Sequence, residues 1–260
     1  MTRGLRAHLA VTVAVVCAAA AVLPAQFGER DRAPVMETTG NMPYDGRFVF
    51  VRLRYNSGFG GGFGRRSREA PWAHDYPTAD VHMMKILNEL TLLRPRVDGS
   101  NVLSLEDPEL CNYPIAYMSE PGFWTMDDNE AKGFRNYLLK GGFVIFDDFR
   151  GYGHWDNLEQ QMRRVLPEGQ FIQIDATHPI FHSFFEIDTL DLLTSYGGET
   201  PTYFGIFEGN DPKKRLMAIA NYNNDLGEYW EFSDTGRDPV DLSNEAYKFG
   251  VNYFIYGLTH

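Results

Sequence analysis

The sequence predicts an α/β domain built on an open, doubly wound, mostly parallel sheet with helices on both faces. Three observations carry that expectation. Runs rich in β-branched and aromatic residues alternate along the chain with segments whose apolar residues recur at helical spacing. The run Phe143 to Phe146 is apolar without a break, as in a parallel strand covered on both faces. It stops abruptly at Asp147-Asp148, the pattern of a strand emerging at the carboxyl edge where such sheets bind ligands.

Taken in order, Phe48 to Tyr55 reads as the first strand, followed by the glycine-rich stretch GFGGGFG and then a helix from Pro77 to Leu93. In that helix Val81, Met84, Leu87 and Leu90 mark the buried stripe. Asn101 to Leu105 and Tyr113 to Ser119 read as strands. A helix from Thr125 to Lys140 would be capped by Thr125-x-x-Asp128 and stopped by Gly141-Gly142. After the Phe143 strand, Asp156 to Leu166 reads as helix and Phe171 to Ile174 as strand. Thr202 to Phe207 and Leu216 to Ala220 form a closing pair, open to antiparallel pairing. Ser243 caps a last helix carrying Ala246, Phe249, Tyr253 and Tyr256. Crossovers between parallel neighbours should be right-handed.

The amino terminus has a different composition. Arg3 and Arg6 precede an apolar stretch from Leu9 to Leu23 that ends in Pro24-Ala25-Gln26, the layout of a secretory signal peptide over residues 1–25, cleaved after Ala25. That stretch is short for a membrane anchor, which needs about 20 apolar residues. Residues 26–45 form a polar leader, and residues 46–260 the single domain. Cleavage leaves 22 basic against 35 acidic residues, a formal charge of −13 that argues against nucleic acid and anionic membrane surfaces as partners. Only Cys111 remains in the mature chain, so no intramolecular disulfide forms and stability rests on the core. The chain is expected to be periplasmic or secreted, with no membrane span after cleavage.

The motifs RLRY, W-x-x-DYP-x-AD, YP-x-x-YMSEPG, LLKGGF-x-x-xDD, His178-Pro179 and the closing AYKFGVNYFIYGLTH together resemble the bacterial domain-of-unknown-function family 4159, from about Gly46 to His260. The resemblance implies a class I glutamine-amidotransferase-like fold, a flavodoxin-like arrangement that in related proteins accompanies ATPase and von Willebrand A-type modules. It also invites a search for a nucleophile on a strand-to-helix corner. Ser119 stands where such a corner could form, but the Gly-x-Cys-x-Gly spacing is absent and Pro121 alters the turn. Cys111 precedes the strand. Ile180 follows His178-Pro179 where a carboxylate would orient the imidazole, so glutamine hydrolysis is not expected.

Asp147 and Asp148 are the most informative polar residues. A metal or acid/base role would enlist them with His154, His178 or His182, whereas the plain alternative has one aspartate capping a loop through backbone N–H groups and the other pairing with Arg150. His178 and His182 share a face if their segment is helical, although Phe181, Phe184 and Phe185 argue for packing. Gly60, Gly61 and Gly62, with Arg65, Arg66 and Arg68, are either a surface loop, in which Phe59 and Phe63 could contact a partner, or an anion site; their spacing matches neither dinucleotide nor Walker patterns. Asp75 reads as a helix cap beside Trp72, His74, Asp80 and His82, and the stretch from Asn221 to Asp225, with Trp230-Glu231, as a polar loop, either inert or walling a cleft that faces Asp148.

These readings lead to an exported, non-catalytic binding module without cofactor or metal, recognising another envelope protein through the carboxyl rim. The rival is a metal-dependent or acid/base hydrolase built on Asp148, Asp147 and His178. In that rival reading Ser119 is the further catalytic candidate, and Asp147, Arg150, His154 and the three loop glycines are ligand-binding candidates.

Overall fold

The computed structural model describes residues 40–57, 70–191 and 198–260. The signal-peptide segment, most of the leader, and the loop holding Gly60, Gly61 and Gly62 lie outside the described residues. The elements in chain order are β1 (Val51–Arg54), β2 (Asn56–Ser57), α1 (Thr78–Leu90), β3 (Asn101–Ser104), β4 (Ile115–Ser119), β5 (Trp124–Thr125), α2 (Asp128–Leu139), β6 (Phe143–Phe149), α3 (Gly151–Val165), β7 (Phe171–Ile174), β8 (Thr202–Phe207), β9 (Leu216–Tyr222), α4 (Leu226–Glu231) and α5 (Val240–Thr259).

A seven-stranded sheet runs in the order β3-β1-β4-β6-β9-β8-β7. Its first five strands are parallel, and β8 and β7 join antiparallel at one side. The closing pair is therefore antiparallel, as the sequence left open. Parallel strands hide both faces, which explains the unbroken apolar run in β6, buried at all seven positions. One face packs Phe134, Leu138, Leu158 and Met162 from α2 and α3. The other packs Met83, Leu87, Trp230, Phe249 and Tyr253 from α1, α4 and α5. Among the described residues no helix is long and apolar enough to cross a membrane.

Four local expectations differ from the structure. Asp127, not Thr125, caps α2, in a capping box with Glu130, while Thr125 lies in β5 with its hydroxyl donated to the Asn56 carbonyl. Helix α3 starts at Gly151 rather than Asp156, because the first turn of a helix tolerates glycine. Ser243 is a buried interior residue of α5, whose first turn follows Pro239. The stretch after Asn224 is the short helix α4, started by the Asp225 carboxylate accepting the Glu228 N–H, rather than loop throughout.

Candidate metal centre

Strands β1, β4, β6 and β9 end on one rim, and each is followed there by a segment carrying acid. The segment Pro71–Tyr76, ahead of α1, brings His74 and Asp75; β4 is followed by Glu120; β6 contains Asp148 near its end; the turn after β9 brings Asp225. Asp75, Glu120 and Asp148 all have left-handed backbone, with φ of 64°, 47° and 58°. Such conformations cost of order 1–3 kcal/mol each, least for aspartate, and cluster where a side chain must be aimed. At Asp148 the aim comes from a register shift between β6 and β9 across Phe146 and Phe149, a bulge that turns the carboxylate toward the rim.

The groups so aimed converge. His74 Nδ1 lies 2.8 Å from Asp148 Oδ2 and 3.4 Å from Asp75 Oδ1. Ligand atoms of Asp75, Asp148 and Asp225 fall within 4.8 Å of one another, as do those of His74, Glu120 and Asp148, and those of His74, Asp75 and Glu228. Asp75, Asp148 and Asp225 are buried, whereas His74 and Glu120 lie toward solvent. Neither carboxylate oxygen of Asp75 accepts a hydrogen bond, although the residue is 4 % exposed. Helix α4 crowds the same carboxylate: a Cβ on Gly227 would stand 2.4 Å from Asp75 Oδ2 and 2.9 Å from Tyr117 Oη.

Electrostatics follow from this crowding. Burial, reinforced by Asp148, pushes Asp75 well above the carboxylate range against the pull of His74. Burial and the neighbouring Asp148 and Asp75 do the same to Asp225. Glu120 is pushed up to about 8 by burial and by Asp148. The hydrogen bond to Asp148 raises His74 to about 10, against desolvation. The His74 imidazolium is the cation in contact with these acids, one positive charge facing several carboxyl groups, and a divalent cation would add to it.

Asp147 has a different task. Its Oδ2 accepts from Tyr117 Oη at 2.7 Å, Leu226 N at 2.8 Å and Gly227 N at 3.1 Å, and its Oδ1 accepts from Asn221 Nδ2 at 2.8 Å. Burial outweighs these bonds and lifts it to about 6. It thus ties β4, β6, β9 and α4 together and caps backbone N–H groups, the plain alternative for one of the two aspartates.

The other sequence candidates are dispersed. Ser119 is fully buried at the end of β4 and its Oγ has no hydrogen-bond partner, so the residue presented at the corner is Glu120. Tyr55 Oη braces that corner from 2.8 Å and 2.7 Å off the Ser119 and Glu120 carbonyl oxygens. The imidazole hydrogen-bonded to Asp148 is that of His74, although His154 also lies within electrostatic reach of that carboxylate. His178 packs instead on Phe207 and Tyr256 at the amino end of the sheet, its Nδ1 accepting the Ile180 N–H at 3.2 Å. His182 is held by Glu186 and the Ala176 carbonyl. Arg150 is exposed ahead of α3, its N–H 3.4 Å from His154 Nδ1. The His154 ring packs 4.6 Å from Phe123, over Gly122, where a Cβ would meet it at 2.3 Å.

Asp75, expected as a helix cap, does accept the Ala79 N–H, but through its backbone carbonyl at 3.0 Å. Its side chain is turned into the rim by the left-handed φ, which sequence spacing does not reveal. Glu120 was overlooked beside the hydroxyl of Ser119. Asp225 was hidden among the turn formers of Asn221 to Asp225.

Fold and rim together define an α/β-sheet domain with an acidic centre at the carboxyl ends of its parallel strands. The family model described as Domain of unknown function (DUF4159) matches residues 49–258, and the chain belongs to that family. No curated protein matches the chain.

Proposed function

We propose that the chain is an exported, divalent-cation-dependent hydrolase of amidotransferase-like, flavodoxin-like fold. Numbered along the chain, the parallel strands run second-first-third-fourth-fifth, the order of flavodoxin-like sheets, and the acids gather along the carboxyl rim on which such sheets bind ligands. One observation carries the reading: the buried Asp75 carboxylate has no hydrogen bond yet faces the oxygens of Asp148 and Asp225. A buried carboxylate without donors is costly unless it coordinates a cation. Three carboxylates favour an oxygen-preferring ion such as Mg²⁺ or Mn²⁺.

In this reading Asp75, Asp148 and Asp225 would hold the ion, which would supply Lewis-acid activation of water. On the solvent side, His74, raised to about 10, would hold the proton for a leaving group, and Glu120, raised to about 8, would exchange one with water. The acidic centre favours the hydrolase over the purely binding module. Glutamine hydrolysis through a thiol is not proposed, because the corner residue is a glutamate. Export is tested separately, by mass spectrometry of the native protein, which should begin near Gln26.

The test is calorimetric titration of the purified chain with Mn²⁺. About one tightly bound ion with release of protons is expected, and Asp75→Asn should lose it. Absence of binding, or binding unchanged by Asp75→Asn, contradicts the reading.

A further inference from the structure

We propose that Arg52 is the positioning residue of the cation centre, acting through the backbone of the segment that carries His74 and Asp75; the proposal rests on the reading of the rim given above. The side chain is fully buried in β1. Its Nη2 donates to Asp80 Oδ1 at 2.5 Å and its Nε faces both Asp80 oxygens at 3.2 Å and 3.3 Å. Ser100 Oγ donates to Asp80 Oδ2 at 2.7 Å, completing the grip on the first turn of α1. A structural ion pair needs nothing more.

The guanidinium does more. Nη1 donates to the His74 carbonyl at 2.7 Å and to the Trp72 carbonyl at 3.1 Å. The Tyr117 ring lies under the guanidinium carbon, 5.0 Å away, and the same Tyr117 donates its hydroxyl to Asp147. One planar fork therefore fixes the backbone on either side of Ala73 relative to β1 and α1, immediately before the left-handed turn at Asp75. It also joins two sequence motifs, RLRY through Arg52 and W-x-x-DYP-x-AD through Trp72 and Asp80, the second of which carries Asp75 itself. Lysine cannot reproduce this, because an ammonium lacks the spread of donors that reaches carboxylate and both carbonyls at once. Outer groups that orient ligands typically change metal affinity by about 10–100-fold.

The experiment compares the full chain with Arg52→Lys and Ser100→Ala by two readouts at a temperature where all are folded: Mn²⁺ affinity and hydrogen exchange of the segment 71–77. Arg52→Lys should bind Mn²⁺ about 10–100-fold more weakly and exchange faster in that segment. Ser100→Ala, which loosens Asp80 without touching the carbonyls, should change neither beyond its effect on global stability. Should Arg52→Lys fail to fold, Asp80→Asn is measured the same way and should shift both readouts in the same sense. Exchange in the segment that is unchanged, or that changes equally in Ser100→Ala, overturns the proposal. If the wild-type chain binds no Mn²⁺, the hydrolase reading fails, while hydrogen exchange still decides whether Arg52 positions the segment.

Discussion

Asp75 and Asp147 are both buried acids of one rim, and their surroundings set opposite roles. Asp147 accepts four hydrogen bonds, so Asp147→Ala should strand Tyr117, Asn221 and two backbone N–H groups at a cost of about 3–5 kcal/mol, read as a large fall in urea midpoint. Asp75→Asn should instead stabilise the cation-free protein at pH 8, by about 1–2 kcal/mol, because it removes a buried carboxylate that accepts no hydrogen bond and has only the imidazole of His74, 3.4 Å away, to offset its charge. Glu120 sets a pH dependence. Its folded value of about 8 against an ordinary 4.5 means the folded state keeps a proton that the unfolded chain has lost. That contribution is complete below about 4.5 and disappears as pH rises through about 8, so Glu120→Gln should flatten the decline in stability across that window. At this scale the sequence was only partly informative. Asp148 stood out at the end of an apolar run, whereas Asp75, Glu120 and Asp225 depend on backbone angles and on α4, which no local spacing encodes.

Among the elements, β6 decides the site by its bulge. Asp148→Gly suits the left-handed backbone at φ 58° and should leave the melting temperature unchanged or higher while abolishing cation binding. A result in which the fold is lost instead would show that the carboxylate, not the backbone, holds the bulge. The short turn after β4 depends on the contact between Gly122 and His154. Gly122→Ala should cost about 1–3 kcal/mol through the clash with the imidazole, and His154→Ala in the same chain should recover most of it. The strands were legible because burial on both faces imposes apolar runs. The start of α3 was not, since Gly151-Tyr152-Gly153 has loop composition and becomes helical only where β6 ends. Helix α4 was missed for a related reason: Leu226 to Glu231 is too short for a period, and it is fixed by the Asp147 and Asp225 carboxylates.

For the whole molecule, alternating apolar runs and amphipathic segments specified the parallel sheet and its two covered faces. The rim at which the apolar run of β6 ends is the one where the acids converge. The same patterns did not specify the partners on that rim, because His74 and Asp75 arrive from a segment between β2 and α1, and His178, in the segment between β7 and β8, packs on Phe207 and Tyr256 instead. The most direct measurement is an anomalous difference map at the manganese edge from crystals of the purified chain grown with Mn²⁺. The account expects a single strong peak bounded by Asp75, Asp148 and Asp225, with His74 turned from Asp148 toward the ion or its water. A map without a peak at that rim, with His74 still bonded to Asp148, would contradict it.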